Sequence, residues 1–214
     1  RGGGRGQERG GRGGTAGGRG RARETGNANL ANARQTEGLK KLLRVEGGAA
    51  YPKDYRPVNT TVISYPTSSF AQVVTIAAGS HSGIRVNTPV VTADGLIGRA
   101  ANVGPRTSSV TLLTDPDNNV PARDVSSGVS GLIRHGQGST LVFDRVAKEQ
   151  VVKKGDIVVT QGTVDRHFPS VYPYGIAIGR VLSVGRSDNA TFLTVTVTPF
   201  ARFATLDPVA GIRP

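Results

Sequence analysis

The 214-residue chain contains no Cys, no Met and no Trp, and it holds only five Tyr, six Phe and three His. Without Cys there is no disulfide framework, no thiolate metal site and no Cys nucleophile. Such a chain suits an oxidising envelope and the cytosol equally. So few aromatic residues argue against a broad aromatic binding platform. No run approaches the ~20 consecutive apolar residues that a spanning helix needs. A chain that opens on Arg and lacks Met reads as part of a longer reading frame, with its start and any membrane segment upstream.

What charge there is lies unevenly. The formal net charge is +12, of which residues 1–46 carry +7 and the following 168 residues +5. The later part is mildly basic, which permits an anionic neighbour without requiring one. Residues 1–26 begin with an Arg/Gly-rich low-complexity run and are expected to be a disordered tail, since Gly loses much entropy on ordering and buries nothing. An alternative takes this arm as an RGG-type segment that binds nucleic acid. Such arms usually interleave Phe or Tyr, and residues 1–24 contain neither. A flexible basic tail is therefore the favoured reading.

Residues 27–46 predict the one good helix. Leu39, Leu42, Leu43 and Glu46 follow i, i+3, i+4, i+7 spacing, with Leu30 one compatible stretch earlier. Lys40, Lys41 and Arg44 complement the C-terminal end of the helix dipole, and Gly47-Gly48 stop it. The stripe reads either as the end of a dimerising coiled coil or as one amphipathic helix on its own domain. Residues 47–57 form a linker with Gly and Pro punctuation.

From Val58 onward the pattern turns to β-branched residues and period two. Strands are predicted over 58–64, 72–77, 90–92, 96–103, 109–113, 120–125, 129–134, 140–144, 157–160, 175–184 and 192–199. Asp94-Gly95 is the strongest hairpin turn. Leu206 and Val209 are expected to anchor a short end. Within this region the chain writes one phrase twice. Gly95-Leu96-Ile97-Gly98-Arg99 follows Pro89-Val90-Val91-Thr92, and Ile176-Ala177-Ile178-Gly179-Arg180 follows Ile157-Val158-Val159-Thr160. The repeat predicts a mainly β fold: two small six-stranded-type β-barrels in tandem, preceded by the helix and the tail. The first barrel is expected over 58–138, the second over 139–209 with strands possibly shared, and a tail over 210–214.

Candidate chemistry is thin. A protease of the two-barrel kind would draw on His81, His135 or His167 with Asp115, Asp144 or Asp156. Such an enzyme needs a Ser on a Gly-rich turn that forms an oxyanion hole, but Gly155-Asp156 is followed by Ile157. The three His are far apart in sequence and lack zinc-ligand spacing. The run Asp115-Pro116-Asp117-Asn118-Asn119 lacks the Gly and distal Glu of an EF-hand loop. No catalytic, metal or cofactor site is predicted. Function is expected at surfaces, and the stretch 161–174, with Phe168, Tyr172 and Tyr174, is the candidate for partner binding.

The ordered set of motifs resembles the MreC family of rod shape-determining proteins. It runs from Leu42-Leu43 and Tyr55-Arg56-Pro57-Val58 through Gly95-Leu96-Ile97-Gly98-Arg99 and Leu112-Leu113-Thr114-Asp115. It continues through Val120-Pro121-Ala122-Arg123 to Ile178-Gly179-Arg180-Val181. The resemblance implies a non-enzymatic scaffold for cell shape and peptidoglycan elongation, with no cofactor and no small-molecule substrate. It implies a bacterial cell-membrane protein with this part on the extracytoplasmic side. The partners it implies are a second copy of the chain, the elongation-specific penicillin-binding transpeptidase, MreD and MreB-system proteins, and not nucleic acid.

Overall fold

Strand formation follows the alternation read from the sequence. Val120–Asp124 places Val120, Ala122 and Asp124 inward and Pro121 and Arg123 outward, as a half-buried strand should. The computed structural model describes residues 54–66, 72–162, 170–187, 189–206 and 208–214. The expected tail, the helix with Leu30, Leu39, Leu42 and Leu43, most of the linker, and Phe168 lie outside these residues.

Thirteen strands are present among the described residues: β1 (Arg56–Thr60), β2 (Val62–Ser64), β3 (Val73–Ile76), β4 (Pro89–Val91), β5 (Leu96–Val103), β6 (Ser108–Leu112), β7 (Val120–Asp124), β8 (Ser130–His135), β9 (Leu141–Asp144), β10 (Ile157–Thr160), β11 (Ala177–Gly185), β12 (Thr194–Pro199) and β13 (Val209–Arg213). The order β10-β11-β12-β9-β8-β7 closes into a six-stranded barrel, and the order β1-β13-β4-β5-β6-β3-β2 forms the other sheet. The two ends of that second sheet, β1 and β2, are separated only by Thr61. One bent strand therefore serves both edges, and this sheet is a nearly closed barrel with six strand positions. Closure of this kind removes the exposed edges that invite aggregation.

The duplication holds at the level of register. β4 pairs with β5 through Val90↔Gly98 and then shifts by a bulge to Val91↔Leu96. β10 pairs with β11 through Val158↔Gly179 and shifts at the same place to Val159↔Ala177. A second bulge follows Ala100 in one copy and Val181 in the other. The turn before each pair also matches. Asn87 and Gly155 both adopt positive φ, 68° and 95°. Asn87 N–H donates to Ala100 O and Gly155 N–H to Val181 O, each at 2.8 Å. The guanidinium of Arg99 donates to Asn87 Oδ1, and that of Arg180 to Gly155 O, so both arginines turn back onto equivalent turns.

Strand ownership departs from the expected division at residue 138. β7 and β8 belong to the closed barrel, and β13, expected as part of a tail, is a strand between β1 and β4. Superposing the registers matches β8, β9, β10, β11 and β12 with the β1/β2 strand, β3, β4, β5 and β6. The remaining strands, β7 and β13, are then equivalent. Each ends its own repeat in sequence and completes the barrel built by the other repeat. The two copies have exchanged their last strands. Adjacency of this kind is tertiary, so a contiguous cut through the sequence misplaces both strands.

The exchange is reflected in the core. Val90, Ile97 and Leu112 face the interior of the first barrel. Their neighbours Val91, Leu96 and Leu113, together with Ile212 of β13, pack into the cluster that fills the closed barrel around Phe143. Consecutive residues thus serve two interiors, which is why β4 and the start of β5 are buried without alternation. A fully buried side chain of this size contributes about 1.5–3 kcal/mol, so the shared boundary couples the two barrels.

Candidate interaction surface

The repeats diverge most between their paired strands. In the first barrel Thr92 N–H reaches Gly95 O across the turn at 2.8 Å. In the second, Thr160 N–H reaches Ile176 O at 2.9 Å after the excursion 161–175. Thr160 pins the base of this excursion. Its hydroxyl donates to Pro173 O and accepts from Ile176 N–H at 2.9 Å. A Cβ on Gly162 would lie 2.3 Å from Tyr172 O, so only Gly lets the two arms of the excursion cross so closely.

The three aromatic residues expected here separate. Tyr174 is 40% exposed and Tyr172 only 4%. Tyr172 therefore belongs to the closed-barrel core rather than to a partner surface, because its ring fills space between the excursion and the junction with the first barrel. Its hydroxyl makes no hydrogen bond of normal geometry, although the Asn118 side chain is close enough to act on it. Burial pushes its phenol up to about 12, with the Arg99 charge and the Asn118 side chain acting the other way. Val171 is exposed as well, at 45%. Sequence reasoning passed over it because an isolated Val carries no signal; its place beside a buried Tyr could have marked it.

Of the candidate catalytic residues among those described, only His135 and Asp144 come together, on a groove whose lining contains no Ser. His81 lies in the 3-10 turn Ser80–Ser82 of the first barrel and His135 on β8 of the second. His167 lies outside the described residues. Asp115 accepts from Gln72 N–H at 2.9 Å and from Asp117 N–H at 3.0 Å. Asn118 Nδ2 donates to Leu112 O at 2.9 Å, so this Asp/Asn-rich loop spends its polar groups fastening β6 to the entry of β3. Asp144 is taken by Arg134 at 2.9 Å, in a shallow groove of about 420 Å³ lined also by Pro116, His135 and Val142. The Arg134 hydrogen bond holds the Asp144 carboxyl below the usual range, against burial.

The family model described as "Rod shape-determining protein MreC, barrel core" matches residues 62–212, both barrels together. The chain belongs to the MreC family. The cell shape-determining protein MreC of Haemophilus influenzae is 34% identical over 177 residues, which are 82% of this chain and 49% of that protein. The chain thus spans about half the length of that MreC relative. The crystal structure of MreC from Pseudomonas aeruginosa superposes with a TM-score of 0.67 at 26% identity, covering 74% of this chain and 99% of the other. MreC from Helicobacter pylori, solved in complex with the penicillin-binding protein PBP2, superposes with a TM-score of 0.58, covering 74% of this chain and 96% of its own. At 18% identity that likeness extends to the MreC fold alone.

Proposed function

We propose that this chain is a non-enzymatic scaffold of bacterial cell-shape determination. It organises peptidoglycan elongation by binding a second copy of itself, an elongation transpeptidase of the penicillin-binding class, MreD and MreB-system components. It works on the extracytoplasmic side of the cell membrane. The observation that carries this reading is the MreC match over 62–212, which spans both barrels. The Helicobacter pylori complex with PBP2 supports the transpeptidase as the partner to test first.

The docking surface we assign to the transpeptidase is the excursion after β10. Val171 and Tyr174 offer exposed apolar area there, next to the stretch that holds Phe168. Aromatic residues at such positions often dominate interface energetics. The test is Val171→Ser with Tyr174→Ser, measured by binding to the transpeptidase of the same organism and by thermal unfolding. Both side chains are on the surface, so the fold is expected to persist. Binding is expected to weaken about tenfold, near 1.4 kcal/mol. Unchanged binding by the folded double variant would overturn this surface.

A further inference from the structure

The strand registers sort the charges of the first barrel to its two ends. β1 begins at Arg56, directly opposite Arg213, where β13 ends. The end of β13 runs beside the start of β4. The end of β5, the start of β6 and the end of β3 meet at Val103, Ser108 and Ile76. The connections at this end are therefore 77–88 and 104–107, and they carry Arg85 and Arg106. With Arg56 and Arg213 these make four exposed arginines against one carboxylate, Asp54. The other end holds Asp94, Asp115 and Asp117 against Arg202. That end meets the closed barrel: a Cβ on Gly95 would lie 2.4 Å from Ala177 O, and Leu113 packs into the closed-barrel core. The arginine end points away from it.

Among the described residues, no ion pair engages Arg56, Arg85, Arg106 or Arg213. Like charges directly opposite on neighbouring strands are destabilising, so Arg56 and Arg213 carry a cost that a bound anion would offset. A Cβ on Gly83 would lie 2.9 Å from Arg213 Nη1, so the guanidinium rests against this turn. The closed barrel does not repeat the arrangement. By the registers, Ser126 and Ser127 stand where the first barrel has Arg213 and Arg56. The turn before β4 differs as well. Thr88 N–H donates to Arg85 O at 3.0 Å, which leaves Val86 and Asn87 at the tip. Val86 is 60% exposed, and its counterpart before β10 is Lys154.

We propose that the arginine end of the first barrel is a membrane-docking surface, on which the four arginines engage phosphates of anionic phospholipids and Val86 enters the headgroup layer. The guanidinium fork matches phosphate oxygens, and basic residues with an exposed apolar group are what an anionic lipid interface retains. A dissolved polyanion would give Val86 nothing to enter. Asp54 leads into β1 at this end, so a tether ahead of it presents this end to the membrane. The proposal rests on the reading of the chain as working at the extracytoplasmic face of the membrane.

The chain has no Trp, so Val86→Trp places a single indole whose emission reports entry into lipid. The whole chain is mixed with vesicles of phosphatidylglycerol and phosphatidylcholine, and both pelleting and emission are followed. Residues 1–24 are rich in Arg and attract anionic vesicles by themselves, so the local emission decides. Emission from Val86→Trp is expected to shift to the blue with these vesicles and not with phosphatidylcholine alone. Val151→Trp, at a position 62% exposed on the closed barrel, should stay unshifted. Arg56→Gln and Arg213→Gln, added to Val86→Trp, are expected to raise the lipid needed for half the shift about fivefold each. The same loss of charge at Arg19 and Arg21 should raise it less. Thermal unfolding checks that each variant is folded. Pelleting without a shift at Val86→Trp would overturn the proposal and leave the membrane-side reading standing. A shift indifferent to Arg56 and Arg213, or an equal response to dissolved polyphosphate, would overturn it too. Transpeptidase binding is read separately, so either idea can fail alone.

Discussion

Two barrels built to one plan have been put to different uses, and the contrast separates what the plan requires from what it allows. Both keep the bulge before the Gly-Arg step, the positive-φ turn and the arginine folded back on that turn. These features set the curvature of a small barrel, and bulges with close-approach glycines are a recurrent way to bend a strand. The first barrel connects its central hairpin by the short turn around Asp94-Gly95, whereas the second opens it into the excursion 161–175. Beside its exchanged strand the first has Thr88 and Gly211; the second has two buried carboxyls, Asp156 and Asp124, at the matching places. Curvature is held in common, and the long excursion belongs to the second copy.

The strongest way to break the equivalence is at the two glycines. A Cβ on Gly98 would lie 2.0 Å from Thr111 O, and one on Gly179 2.4 Å from Thr198 O, the carbonyl at the matching place. Both obstacles are backbone, so neither can swing away. Gly98→Ala and Gly179→Ala are each expected to lower stability by about 3 kcal/mol, measured by urea unfolding. A large cost at one and none at the other would show that the bulges bend only one of the barrels.

A smaller effect sharpens the contrast at the junction. Tyr172→Phe removes a buried hydroxyl that makes no hydrogen bond of normal geometry. Stability is expected to hold or to rise by up to about 1 kcal/mol. The parent chain should lose stability between pH ~10, the ordinary tyrosine value, and about 12, the value to which burial raises this phenol. The sign is that of an acid whose folded form resists ionisation, so stability falls as pH rises. Absorbance titration of the phenolates follows the group itself, and Tyr172→Phe should abolish its late step. A loss above about 2 kcal/mol would mean that the hydroxyl is bonded after all.

The smallest effect concerns decoration on one barrel only. By the strand registers Asp144 stands where the first barrel has Ala77, so its pair with Arg134 has no counterpart. The Arg134 side chain is 52% exposed, and such a pair is worth only about 0.5 kcal/mol. Arg134→Gln should cost no more than that at neutral pH, by thermal unfolding. The contribution of Asp144 is present above the ordinary carboxylate value and fades as pH falls through its lowered one. The cost should shrink in strong acid.

Much of this architecture could be read from the residues. The repeated Gly-Arg phrase located both bulged hairpins, and alternation placed most strands within one or two residues. β5 and β10 match their predicted bounds, Leu96–Val103 and Ile157–Thr160. What could not be read was adjacency. Val209–Arg213 looks like an ending because its partners, β1 and β4, are distant in sequence. Asp124 is buried because β7 lies beside β10, a pairing that no local pattern shows. Tyr172 misled for the opposite reason: an aromatic residue in a long connection reads as surface until packing places it inside.

The exchange of β7 and β13 also sets an order of assembly. The closed barrel is drawn from one continuous stretch, β7 to β12, and can form with modest loop-closure cost. The other needs β1 and β13, which pair as Arg56↔Arg213 across nearly the whole described chain. Wherever the chain emerges N-terminal end first, earlier segments can fold while later ones are still arriving, and the closed barrel is complete first. Its neighbour waits with a gap between β1 and β4 until the last strand emerges. During that interval the gap leaves strand edges at which a strand from another molecule could enter.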